Sequence, residues 1–201
     1  IGVPTIMRLG VLCSGSGSNF ENIVRTCHED EVVIMIHNKE KCGAAKRANK
    51  LGIPHTFIDH KREELIIDLL KAWHVDLVIL AGWMRIVTKD LINAFPDRII
   101  NVHPSLLPKY KGLHAVEQAM DAGEEYTGTT VPYVTEELDG GPIIIQSKVP
   151  IMPDDDVKSL TKAIQRREYA ILPLAIEYVK HELQKPNSGY LLQDDIYGWD
   201  G

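Results

Sequence analysis

Apolar residues along the chain fall into short continuous runs separated by stretches in which they recur at helical spacing, and the two patterns alternate through the first half. Arg8–Cys13, Val32–His37, His55–Ile58, Asp76–Ala81 and Ile99–His103 read as strands. Between them, Asn19–Cys27, Gly43–Leu51, Glu63–Trp73 and Thr88–Phe95 read as helices; Leu65, Leu69, Leu70 and Trp73 share one helical face, and Thr88 is a natural cap. Asp76–Ala81 is nearly all apolar, as expected of a strand covered on both faces. This alternation predicts an α/β fold with a doubly wound, mostly parallel sheet. After His103 the rhythm changes. A loop marked by Pro104, Pro108 and Gly112 leads to a helix over Ala115–Ala122. Two further strands follow, Thr129–Val134 and Ile143–Val149, joined by the turn Glu136–Pro142; they predict a mixed or antiparallel extension. Residues 157–183 read as a helix interrupted at Pro173. No repeat or linker divides the chain, so a single domain over residues 1–201 is expected, with a nucleotide-binding-like first half over about 7–100 and a second half over about 101–185.

Composition narrows the functional classes. The chain has 201 residues and a formal net charge of −6, which disfavours an extended nucleic-acid footprint but not a small anionic ligand. The longest apolar runs fall far short of a membrane span, and the amino terminus has no signal pattern, so a cytoplasmic protein is expected. Cys13, Cys27 and Cys42 form no close pair and read as reduced thiols. Met7 stands where a native start is expected, with residues 1–6 a leader, and the polar tail 186–201 is expected to be peripheral.

Three segments could carry chemistry. Ser14-Gly15-Ser16-Gly17-Ser18-Asn19 links the first strand to the first helix, where free backbone N–H groups and the helix dipole suit a phosphate. Phe20 replaces the third glycine of a dinucleotide fingerprint, and no acidic residue follows the second strand, where His37-Asn38-Lys39 stand. No P-loop lysine is present, so a phosphate monoester is the better fit; a tight turn with a capped helix is the equally simple alternative. Asn101 and His103 sit two apart at the carboxyl end of a strand and so face one side, as an amide donor beside an imidazole would to polarise a carbonyl and move a proton. Asp139, in the glycine-rich turn, either closes that turn or partners His103, favouring its imidazolium form. No metal motif is present, and none is expected. Asp154-Asp155-Asp156 reads as a helix start; His28, His55, His60, His74 and His181 read as structural.

Taken together, these segments resemble the phosphoribosylglycinamide formyltransferases, folate-dependent enzymes of purine synthesis. The matching pieces run in family order over residues 8 to about 180: Ser14–Asn19, Asn38-Lys39, Ala81–Ile86, Asn101–Tyr110, Lys111–His114, Gly128–Thr130 and Leu138–Gln146. The resemblance implies a Rossmann-like formyltransferase fold and transfer of the formyl group of 10-formyltetrahydrofolate, as co-substrate, to the amine of glycinamide ribonucleotide. It implies a catalytic trio of Asn101, His103 and Asp139, a phosphate loop of Gly17, Ser18 and Asn19, and contacts to the phosphoribosyl group from Gln165 and Glu168. The folate pocket would be formed by Arg62, Met84, Arg85, Ile86 and Val87, with Asn101 and the loop Val134, Thr135, Glu136, Glu137, Leu138 and Asp139.

Four positions depart from the family pattern. Pro132, Val116 and Tyr169 stand where histidine is common, and Trp83 replaces phenylalanine. The implied partners are small molecules, with neither nucleic acid nor membrane, in a monomer or weak homodimer. The alternatives are a formyltetrahydrofolate hydrolase and a non-catalytic phosphoribosyl-binding module. A hydrolase or a transfer-RNA formyltransferase would carry an added domain, for which 201 residues leave no room.

Overall fold

The computed structural model describes residues 5–185. Its first half alternates as the hydrophobic pattern requires: β1 (Arg8–Cys13), α1 (Ser18–Thr26), β2 (Glu31–His37), α2 (Gly43–Leu51), β3 (His55–Phe57), α3 (Glu63–Ala72), β4 (Leu77–Leu80), α4 (Lys89–Ala94) and β5 (Ile99–Asn101). The five strands form a parallel sheet in the order β3-β2-β1-β4-β5. Order reverses between β1 and β4, so their carboxyl ends flank the crevice where ligands of such sheets bind. Because both sheet faces are covered, β1, β2 and β4 are buried almost throughout. Two cores result: Val11, Phe20, Ile79 and Leu172 pack on one face, and Leu12, Leu70, Val78 and Leu91 on the other.

The second half adds α5 (Ala115–Asp121), β6 (Tyr126–Pro132), β7 (Ile143–Pro150) and α6 (Val157–Gln184). β6 and β7 form an antiparallel pair. That pair is tied to the edge of the parallel sheet by single bridges, Ile100 with Tyr133 and His103 with Thr130. The expected mixed extension is therefore present, shifted in register. β6 begins at Tyr126 rather than Thr129 and stops at Pro132, which has no N–H to continue the ladder. β5 stops at Asn101, and His103 is held by its bridge to Thr130.

Helix α6 corrects a second expectation. Pro173 does not interrupt it; the helix runs unbroken over 28 residues. Proline frees the carbonyl four residues earlier, here that of Tyr169. The side chain of Asn22 on α1 donates to that oxygen at 3.0 Å, so the lost helical bond is replaced across the helix pair. Asp156 caps α6 by accepting from the Ser159 N–H at 2.7 Å, as the acidic run led one to expect. These hydrogen bonds hold its carboxyl below the ordinary range. Thr88 likewise caps α4.

All three cysteines are free; Cys13 and Cys42 are buried and Cys27 partly so. Burial pushes the Cys13 and Cys27 thiols up. Met7 is fully buried beneath the sheet. The leader expected at residues 1–6 lies mostly outside the described residues, as does the tail 186–201. Among the described residues, no helix is long and apolar enough to cross a membrane.

Candidate active site

Three loops converge because β1, β4 and β5 are adjacent and parallel, which puts their carboxyl ends on one edge. The loop after β1 turns into α1 at Gly17, whose φ of 75° is left-handed; a side chain there would strike Ala44 of α2. No side chain caps α1, which leaves its first backbone N–H groups for a ligand. The Ser14 N–H donates to the Gly82 carbonyl at 2.9 Å, and its hydroxyl accepts from the Met84 N–H at 2.9 Å. The phosphate-loop candidate and the segment Met84–Val87 are thus built against each other. Met84 and Ile86 stand exposed at 58% and 73%, unlike most large apolar side chains of the molecule.

Asn19 and Glu168 lie 149 residues apart, yet Asn19 Nδ2 donates to Glu168 Oε2 at 2.9 Å in a buried contact. Burial raises the Glu168 carboxyl above its usual range, with the Asn19 bond opposing the shift. This changes the expected role of Asn19: its amide is engaged by Glu168, and Asn19 Oδ1 is buried without a partner. Donors to an anion in this loop are therefore its backbone N–H groups and the accessible Ser16 and Ser18 hydroxyls rather than the Asn19 amide. Gln165 lies one turn before Glu168 on α6.

His103 is 5% exposed. Its Nε2 lies 2.8 Å from the Tyr110 carbonyl, and its Nδ1 lies 3.7 Å from Asp139 Oδ2. A carbonyl only accepts, so Nε2 carries a proton and donates, leaving Nδ1 as the nitrogen that gains or loses one. The same Asp139 oxygen accepts from the Gly112 N–H at 2.7 Å. Residues 110–112 therefore hold both members of the pair, through one carbonyl and one N–H. Asp139 (φ 51°), Tyr110 (φ 55°) and His114 (φ 59°) all adopt left-handed backbone, which non-glycine residues rarely do and which gathers at functional sites.

Behind the pair, Thr130 Oγ1 donates to the Ser105 carbonyl at 2.7 Å and accepts from the Leu107 N–H at 3.1 Å and from Gln146 Nε2 at 3.0 Å. Thr129 Oγ1 donates to the His103 carbonyl at 3.1 Å. Thr129, Thr130 and Gln146, which motif reading named without a role, thus brace the loop that follows His103. The structure does not gather every expected residue equally. Arg62 is turned toward Glu64 at 2.6 Å on the surface, and Glu137 toward Lys111 at 3.2 Å. Arg85 is exposed and lies close enough to Asp59 to add to the lowering of that carboxyl, which owes mainly to the Lys61 N–H.

His55, read as structural, has partners the sequence did not show: its Nδ1 lies 3.0 Å from His37 Nε2, and its Nε2 lies 2.9 Å from Asn49 Oδ1. Burial and the neighbouring His37 lower His55. The two histidines are 18 residues apart on paired strands, a contact that only the β2–β3 register reveals.

Residues 7–176 match the family described as Formyl transferase. The chain belongs to the formyl transferase family. Similar family members include the phosphoribosylglycinamide formyltransferases of Haemophilus influenzae, 38% identical over 85% of this chain and 86% of the relative, and of Escherichia coli, 39% identical over 86% of each. It is also 42% identical to the trifunctional purine biosynthetic protein adenosine-3 of Drosophila melanogaster, over 84% of this chain, which spans only 14% of that relative's length. Among solved structures, the phosphoribosylglycinamide formyltransferase of Anaplasma phagocytophilum superposes with a TM-score of 0.85 at 37% identity, covering 88% of both chains. Glycinamide ribonucleotide transformylase 1 of Symbiobacterium toebii gives a TM-score of 0.85 at 38% identity, over 88% of this chain and 89% of that one. The parallel sheet with its two-stranded extension is therefore the fold of this family.

Proposed function

We propose that this protein transfers the formyl group of 10-formyltetrahydrofolate to the amine of 5'-phosphoribosylglycinamide in purine biosynthesis. The observation that carries the proposal is the buried His103–Asp139 pair, whose Nδ1 faces the carboxylate, on the same sheet edge as the uncapped start of α1. The substrate phosphate binds the backbone N–H groups of Gly17, Ser18 and Asn19, and Gln165 and Glu168 meet the phosphoribosyl group. The folate lies along Met84, Arg85, Ile86 and Val87, and its pterin against the loop 134–139 and Asn101; the exposed apolar Met84, Ile86 and Leu138 suit a flat ring system. Arg62 joins this face only by releasing Glu64.

The substrate amine attacks the formyl carbon, forming a carbon–nitrogen bond and placing negative charge on the formyl oxygen. Asn101 and the Nδ1–H of imidazolium His103 donate to that oxygen; at 3.7 Å Asp139 is too far to take that N–H as a hydrogen bond and acts on it through its charge. Asp139 holds the proton on His103 Nδ1 and relays the amine proton to the folate nitrogen as its bond to the formyl carbon breaks.

Folate absorbance followed with and without glycinamide ribonucleotide tests this reading. Deformylation that requires the ribonucleotide supports it. Formyl release in its absence would instead identify a hydrolase, and no release under either condition a phosphoribosyl-binding module.

A further inference from the structure

The Tyr110 carbonyl that holds His103 Nε2 belongs to a residue in left-handed backbone, a conformation that needs external support. Part of that support is local: Ser105 Oγ donates to the Lys109 carbonyl at 2.6 Å, and the Lys109 N–H donates to the Leu106 carbonyl at 3.1 Å. The rest comes from outside the loop. Tyr110 Oη donates to Glu124 Oε1 at 2.9 Å, and Lys109 Nζ reaches the same oxygen at 2.8 Å. The Glu124 backbone is itself fixed between elements: its N–H donates to the Ala119 carbonyl at 3.2 Å at the end of α5, and β6 begins two residues later. The Tyr110 phenol is raised chiefly because it donates to Glu124, and Glu124 is lowered by accepting from Lys109 and Tyr110.

We infer that Glu124 and Tyr110 are positioning residues for the formyl transfer: their hydrogen bond holds the Tyr110 carbonyl where it commits His103 to the Nε2–H tautomer. The inference rests on the reading of His103 as the proton-handling group. Without the Oη–Glu124 bond, Tyr110 relaxes from the left-handed region and its carbonyl leaves the ring, so neutral His103 samples both tautomers. The Gly112 N–H, two residues on, then also loosens its hold on Asp139.

Tyr110→Phe and Glu124→Ala should each lower kcat about 3- to 10-fold, a fraction of the roughly 100-fold or more that a positioned acid–base group contributes. KM for both substrates should stay within about twofold in each variant. Glu124→Gln keeps an acceptor for the phenol and should retain kcat within about twofold. The double variant Tyr110→Phe/Glu124→Ala should be no worse than the poorer single variant, because both remove one bond. Nitrogen-15 NMR of the His103 ring at high pH gives a readout independent of turnover: a single Nε2–H tautomer in the parent and Glu124→Gln, and a mixture in Tyr110→Phe and Glu124→Ala.

Unchanged kcat in Tyr110→Phe and Glu124→Ala, a loss confined to KM, additive losses in the double variant, or a single tautomer throughout would each overturn the inference. Near-normal turnover in His103→Ala would instead sink the reading of the site, whatever the ring spectra show.

Discussion

Glu168 concentrates the residue-scale physics of the site. Burial raises its carboxyl, and Asn19 supplies the hydrogen bond found there. A carboxyl whose native value lies above its unfolded value gives its full stabilisation below the unfolded value and loses it as pH rises through the native one. Glu168→Gln keeps an oxygen for Asn19 and removes that loss. Its melting temperature should exceed the parent's by about 2–4 °C at pH 8, on the scale of 1 kcal/mol for a chain of this size, with no gain at pH 4. Equal shifts at the two pH values in thermal melts would contradict the account. At Asp139 the expected effect is chemical. Asp139→Asn removes the charge facing His103 Nδ1, while its amide oxygen, placed where Oδ2 stands, can still accept from the Gly112 N–H. Turnover should fall by roughly 100-fold or more, with KM for the ribonucleotide little changed, because the phosphate loop lies elsewhere. Steady-state kinetics decide it: a variant near parental kcat rules Asp139 out of the proton path.

At the scale of elements, α6 shows how a sequence rule is overridden by a neighbour. Proline is expected to break a helix because one carbonyl loses its donor and the ring crowds the turn. Asn22 supplies the donor to Tyr169 from α1, and the helix continues. Asn22→Ala should destabilise the protein by about 1 kcal/mol, the usual net worth of such a bond. In a Pro173→Ala background, residue 173 regains an N–H that can serve the Tyr169 carbonyl, so the same change should cost close to nothing. Urea unfolding of the four variants measures the coupling; equal costs in both backgrounds would show that Asn22 acts some other way. The start of α1 follows a comparable logic, since Gly17 is held against Ala44 and the Ala44 N–H donates to the Gly15 carbonyl at 3.0 Å. Helix α2, which carries no candidate site residue, thereby shapes the phosphate-loop candidate.

Across the whole molecule, the two sheets meet at His103. The bridge between His103 and Thr130 joins the loop after β5 to β6, with both N–H to carbonyl bonds at 2.9 Å. Thr130 extends the joint through its hydroxyl to Ser105, Leu107 and Gln146. Thr130→Val preserves shape but strips partners from buried groups, so it should cost about 1–3 kcal/mol and also lower kcat. Chemical denaturation and steady-state assays on one preparation check both halves; a stable variant with reduced kcat, or a destabilised one with parental kcat, would separate two roles that the fold appoints to one residue.

Much of this was legible along the chain. Strands and helices of the first half follow from apolar periodicity, because a sheet buried on both faces demands continuous apolar runs and each covering helix a single apolar face. Motif spacing also placed Asn101, His103 and the Ser14–Asn19 loop at carboxyl ends of strands, since local order along one chain dictates which end of a strand a residue occupies. Tertiary contacts decided the rest. Which nitrogen of His103 exchanges its proton depends on a carbonyl seven residues away in sequence, aimed by a left-handed turn. That Asn19 serves Glu168, that His55 meets His37, and that Pro173 leaves α6 intact depend on partners 149, 18 and 147 residues distant. Hydrogen bonds saturate and point in one direction, so a side chain's role is settled only when packing chooses which partner reaches it first.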